Sequence, residues 1–358
     1  MAKTLGLGEA DTAPKCLACH ALDVPSGDRA RTFDLTDGVS CESCHGAASN
    51  WLGPHTTKGW THQQSVEAGM YDNRDLIRRS EKCLTCHLGT QEQFVDHEMI
   101  AAGHPDLYFE LASFSAVMPR HWKEPLPPDG QADDEAIEIR GLAVGQAVQL
   151  REQLRRVARN AQSSSWPEYS ELDCFACHHS LTEAKESWRQ ELGYNGRRAG
   201  NPPWNLSRYV VLRDILNQAD RSAAQQLAAE VDRLYRLIGT TGSNRAQIAE
   251  QATSTADVAD RIAKRLASLS FDHSLTGRLL KNISGDGDYI SAQDERAAEQ
   301  AAMALDSLFV VYSRKARIGN ADAVRASIHK LFRQLDNPSS YDARKFAQHM
   351  RALNELLK

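Results

Sequence analysis

Apolar residues recur three and four positions apart along much of this chain, and the alternation expected of strands is nearly absent. Residues 134–161 predict one long helix, because Ala143, Ala147, Leu150, Leu154, Val157 and Ala161 fall on a single face. Beyond residue 200 the same period predicts a bundle. Leu227, Val231, Leu234 and Ile238 form one stripe, and Val258, Ile262, Leu266 and Leu269 a second. Leu305, Leu308, Val311 and Tyr312 form a third, which the pair Ser291 and Asp294 precedes as a capping-box-like start. Val324, Ile328, Leu331 and Leu335 make the fourth, and Phe346, Met350, Leu353 and Leu357 the last. Asn282–Tyr289, with Gly285 and Gly287 around Asp286, and Asn337-Pro338-Ser339-Ser340 read as loops. The expected fold class is mainly α, with little or no β-sheet.

The stretch before residue 200 differs in texture, being rich in Gly, Pro and short polar segments. Gly200-Asn201-Pro202-Pro203-Trp204 would interrupt regular structure, so two domains are expected, 1–200 and 201–358. The 358 residues suffice for this. A net charge of −5, without blocks of like charge, favours soluble protein partners over nucleic acid. No run approaches the roughly 20 apolar residues of a membrane span. The densest, Leu308-Phe309-Val310-Val311-Tyr312, is far too short. Met1–Gly8 lacks the apolar core of a signal peptide, so the expectation is an exported protein whose signal segment is absent from this chain.

The eight cysteines change the picture most. All fall into four copies of one motif: Cys16-Leu-Ala-Cys19-His20, Cys41-Glu-Ser-Cys44-His45, Cys83-Leu-Thr-Cys86-His87 and Cys174-Phe-Ala-Cys177-His178. Cys-x-x-Cys-His is the attachment signal for c-type haem. On a helical turn, positions i, i+3 and i+4 share a face. Two thiols can then add to the two haem vinyl groups while the imidazole meets the iron as proximal ligand. A disulfide framework would not place a histidine after every second cysteine, and four thioredoxin-like motifs in one chain are implausible. Zinc is the best rival, but the gaps between pairs are irregular and mostly too long for a compact Cys₄ ribbon. Four covalent haems are expected, with the chain in the periplasm or outside the cell.

Of the 13 histidines, nine lie outside the motifs: His55, His62, His97, His104, His121, His179, His273, His329 and His349. Any could supply a sixth ligand. Four are favoured. His55 follows Gly46, which lets the chain turn back over a flat ring. His97 and His104 bracket a segment whose Gly103-His104-Pro105 end stops a helix. Their spacing puts both on one helix face, roughly 10 Å apart. His121 sits beside Trp122. His62 is weaker, His179 follows a proximal ligand too closely, and the last three belong to the bundle. Met99 and Met118 read as packing residues.

Several of these segments resemble the cytochrome c-554 family of tetrahaem cytochromes. The resemblance rests on Cys41-Glu-Ser-Cys44-His45-Gly46 with His55 downstream and on Ala101-Ala102-Gly103-His104-Pro105 with Phe109-Glu110. It rests further on Pro119-Arg120-His121-Trp122 and on Trp166-Pro167-Glu168 leading to Cys174–His179. It implies closely packed haems, some stacked nearly parallel, with mostly bis-histidine iron. In the short carrier of that family one haem lacks a distal ligand. This chain reads Gly46-Ala47-Ala48 where the family commonly has Gly-Pro-Gly.

The expected function is electron transfer by mostly bis-histidine haems, exchanging electrons with redox protein partners. Two other readings stay open. One is an enzyme acting on nitric oxide or hydroxylamine at a five-coordinate haem. The other is an electron-relay subunit of a homo-oligomer or larger assembly.

Overall fold

The computed structural model describes residues 1–90, 93–119, 121, 134–164, 166–178, 202–240, 242–316, 318–337 and 341–358, without the side chains of 134, 135 and 175. Arg120, Trp122, His179, Gly200-Asn201 and Pro338–Ser340 lie outside these residues. The described chain is helical, as the apolar period predicts. No strand occurs among the described residues, and one antiparallel bridge pairs Leu172 with Trp204. No helix among them is long and apolar enough to cross a membrane. By packing, the chain divides into two compact units, Met1–Leu107 and Tyr108–Lys358. Division by cofactor motif, placed at residue 200, is a different boundary, since the fourth motif lies in the second unit.

The first unit holds five short helices: α1 (Pro14–His20), α2 (Cys41–His45), α3 (His62–Glu67), α4 (Leu76–Leu84) and α5 (His97–Ala101). Caps set their bounds. Pro14 opens α1, where a missing N–H has no consequence. Asp75 accepts from the N–H groups of Ile77 and Arg78 to start α4, and Asp96 accepts from Met99 to start α5. Gly103, at φ +102°, ends α5, with the His104 N–H returning to the Met99 carbonyl at 2.9 Å. His97 and His104 therefore do not share a helix face, because α5 stops at Ala101. Among the described residues of this unit, six apolar side chains are buried: Ala13, Ala48, Trp51, Leu84, Leu88 and Met99. One large apolar side chain contributes about 1.5–3 kcal/mol on burial, whereas ordering one residue's backbone costs about 1–2 kcal/mol. Six such side chains, two of them alanines, cannot hold a unit of this length by themselves.

The second unit closes a conventional helical core. It contains α6 (Leu111–Val117), α7 (Asp134–Gln162), α8 (Ser207–Ala219), α9 (Arg221–Ile238), α10 (Arg245–Ser268), α11 (His273–Gly285), α12 (Gly287–Gln293), α13 (Glu295–Lys315), α14 (Ala321–Arg333) and α15 (Ala343–Leu356). The long helix α7 runs through the middle, against α6, α8, α10 and α13. Its predicted apolar face is fully buried from Ala143 to Ala161. Gly145 lets α6 approach, since a Cβ there would stand 2.7 Å from Leu111 Cβ.

Apolar spacing does not mark four helices of this unit, α6, α8, α11 and α12. In α8, buried residues surround the axis, from Ser207 through Leu216, so no polar face marks it. Asn282–Tyr289 is not a loop: α11 and α12 meet across Asp286 alone. Gly287 is there for space, because a Cβ would fall 2.4 Å from Met350 Cβ. Ser291 lies buried within α12 and does not cap α13; Asp294 does, accepting from the Ala297 N–H at 2.8 Å.

At the α8–α11 junction one guanidinium serves two carboxylates. Arg213 bonds Asp214 Oδ1 at 2.9 Å and also pairs with Asp286, while lying 3.8 Å over the Tyr289 ring. Oδ2 of Asp214 is buried with no partner among the described residues. Burial therefore outweighs Arg213 and pushes the Asp214 carboxyl up to about 7. A folded-state value above the unfolded one means that the native form binds more protons between about pH 4 and pH 7, so stability falls as pH rises through that window. Asp214→Asn should lose less stability than wild type across this range in urea titrations followed by circular dichroism. Equal pH slopes for the two proteins would contradict the assignment.

Candidate haem-attachment site

Each motif sits on a helical turn. The first fills the end of α1, and the second is α2 itself. The third crosses from α4 into a wide π turn, Thr85–Gly89. The fourth starts on a 3-10 turn, Cys174–Ala176, closed by the His178 N–H donating to the Cys174 carbonyl at 2.7 Å. All eight thiols are free, and each histidine follows its cysteines on the turn.

The first and third motifs touch. Cys19 hydrogen-bonds Cys86, and Gln93 Nε2 donates to the Ala18 carbonyl at 2.8 Å and to Cys19 Sγ at 3.1 Å. The bond from Cys19 draws Cys86 down to about 6, helped by Thr85 and Lys82, and Cys19 is pushed up in turn. The second motif lies close by. Burial raises the Cys44 thiol, with Cys86 and Cys41 adding to it, and burial carries Cys83 up to about 11, with Cys44 adding to it.

α5 reaches α1 through Lys15, whose ammonium pairs with Asp96 at 2.8 Å. That contact brings the turn after α5 over the first motif. The rings of His20 and His104 stand 6.2 Å apart, centre to centre, at 56°. Two metal–nitrogen bonds of about 2 Å in line, plus about 1 Å from each nitrogen to its ring centre, put axial imidazoles roughly 6 Å apart. Planes that share that axis can be twisted about it, so the tilt is compatible. His104 Nδ1 donates to the Pro105 carbonyl at 2.7 Å. A carbonyl only accepts, so the proton sits on Nδ1 and the lone pair on Nε2, the form a metal takes.

The same tautomer signature marks His55, whose Nδ1 donates to the Leu52 carbonyl, and His121, whose Nδ1 meets the Pro119 carbonyl at 3.2 Å. His55 sits on the 3-10 turn Pro54–Thr56. Trp51, buried, touches both His45 and His55 edge-on, with ring centres 6.1 and 5.8 Å away. Gly46, at φ +75°, turns the chain out of α2 toward that loop, and Glu42 accepts from the Ala48 N–H at 2.6 Å. His62 differs: its Nε2 meets Asp72 Oδ1 at 2.9 Å, which engages the nitrogen a ligand would use. His97 opens α5, partly exposed. His87 and His178 lie at the surface of their turns.

Trp51, Lys15, Asp96, Gln93 and Glu42 escaped the sequence reading. Only Asp96 carried a signal, as a helix cap just before His97.

Among the described residues no group of three or more His, Cys, Asp or Glu side chains is placed to hold a metal ion. A metal held by His20 and His104 would need further donors, which a porphyrin would supply. The residues fit that group in three respects: paired thiols on turns, an imidazole pair at the right spacing, and a unit short of apolar core.

Turns of this kind are those on which a helical chain can hold haem covalently. Residues 1–46, which carry the first two motifs, match the family described as cytochrome c554 and c-prime. The match covers 46 of 358 residues and supports a cytochrome c relationship, with covalently bound c-type haem and a role in electron transfer. No curated protein and no solved structure matches the chain.

The geometry at His104 makes a specific prediction. In His104→Ala, haem content should stay at the wild-type level while one haem's low-spin ferric EPR signal gives way to a high-spin one. His62→Ala should leave the spectrum unchanged. An unaltered spectrum in His104→Ala would dismiss the pairing with His20.

Proposed function

We propose that the chain is a tetrahaem electron carrier. Cys16 and Cys19, Cys41 and Cys44, Cys83 and Cys86, and Cys174 and Cys177 would each hold one haem, with His20, His45, His87 and His178 as proximal ligands. His104 serves the first haem, and His55, His97 and His121 are the distal candidates for the others. The observation that carries the reading is the 6.2 Å imidazole pair of His20 and His104, in a unit with few apolar side chains of its own.

Bound haem supplies one-electron chemistry at iron. The side chains do the rest. Nδ1 bonds to backbone carbonyls at His104, His55 and His121 fix each ring and make its outer nitrogen a better donor. The contact of Cys19 with Cys86 supports two haem edges within touching distance, which suits electron passage along a chain of cofactors. Histidine on both faces holds the potentials below those of Met/His cytochromes. The partners are redox proteins in the periplasm or outside the cell, where covalent haem attachment takes place. The cofactor motifs end before residue 200, and the helices of 201–358 pack with α7 into the bundle that carries the fourth of them.

Anaerobic coulometric titration is the test. The account expects four electrons per chain, taken up below the Met/His range, and a ferric spectrum that is low-spin throughout. A persistent high-spin haem that binds nitric oxide or hydroxylamine would put the enzyme reading in its place.

A further inference from the structure

The turn bearing the fourth motif is tied down from several directions within the second unit. Glu171, 1% exposed, pairs with Arg156 and accepts from Gln153 Nε2 at 3.3 Å, both on α7. The Asp173 N–H donates to the Pro203 carbonyl, and the Asn205 N–H to the Glu171 carbonyl, each at 2.9 Å. The Asn205 amide in turn donates to Asp294, the cap of α13. Two residues into α13, Arg296 sends Nη1 to the Ser170 carbonyl at 2.7 Å and Nη2 to Cys174 Sγ at 3.3 Å. A guanidinium from the bundle thus stands against the sulfur of the fourth motif, on a turn braced against moving away.

We propose that Arg296 sets the redox potential of the haem held by Cys174, Cys177 and His178; this rests on the reading of that motif as a haem attachment. Oxidation adds a positive charge at the iron. A fixed cation beside the thioether opposes that charge and holds the haem reduced. Arginine stays protonated at every working pH, so the effect is permanent. Glu171 is paired with Arg156, and the other carboxylates nearby, Asp173 and Asp294, are the same in wild type and in every Arg296 variant, so the difference between them reports Arg296. Arg296 is a positioning and tuning residue and touches no substrate.

The test uses the full haem-loaded chain with Arg296→Gln, Arg296→Lys and Arg296→Glu. Haem content is read by mass, and potentials by spectroelectrochemical titration at one ionic strength. Arg296→Gln should keep four haems and shift one of them negative. At fixed potential its oxidised-to-reduced ratio should rise about tenfold, about 59 mV for one electron. Arg296→Glu should shift it further, and Arg296→Lys should stay near wild type. Wild-type potentials in haem-replete Gln and Glu variants would overturn the proposal, as would a Lys variant shifted as far as Gln. Should Arg296→Gln shed the haem, Arg296→Lys carries the test. Haem retained at the wild-type potential upholds the proposal; haem lost, or a lowered potential, overturns it. If the wild-type peptide containing Cys174 and Cys177 carries no haem, the underlying motif reading fails instead, a result distinct from an unmoved potential.

Discussion

Residues 1–107 are too poor in buried apolar side chains to close a core, and the arrangement of the three motifs there follows from that constraint. The described residues of this unit bury Trp51, Leu84, Leu88, Met99 and two alanines. Caps, glycine turns and single ion pairs shape its helices, yet such contacts fix direction more than they stabilise. In the proposed reading, a flat apolar ring bonded at two sulfurs and one imidazole would supply the missing interior and cross-link the chain to it. The inward convergence of Cys19, Cys44, Cys83 and Cys86 is what such a solution requires.

The second unit obeys the opposite rule. Its core is made by α7 and the helices around it, and it folds around side chains alone. The fourth motif is grafted onto this self-sufficient scaffold by Glu171, Asp173, Asn205 and Arg296. Rigidity there comes from buried charge pairing, which is stable only while each partner is kept. On the proposed reading, a haem on this bundle would sit in a field set by the protein, whereas haems that form their own core would take their environment largely from each other.

Much of this was legible in the sequence, for physical reasons that differ by element. Helices with one wet face, α9, α13, α14 and α15, announce themselves through apolar spacing. The motif residues do so because two thiols and an imidazole are repeated four times at one fixed spacing. The buried helix α8 is silent because burial all round erases the period. α12 hides behind Gly287, which reads as a loop residue but serves close packing against Met350. His104 was visible through its Gly-Pro frame, while its meeting with His20 depends on Lys15 and Asp96, 81 positions apart, which no local pattern encodes. Arg296 was invisible for the same reason, lying 122 positions from Cys174.

The most direct test of the central claim is the intact mass of the denatured chain after maturation in a host that attaches c-type haem. The account predicts the 39.7 kDa polypeptide plus four haems, with no thiol left to alkylate. A chain at the bare polypeptide mass with eight reactive thiols would contradict it.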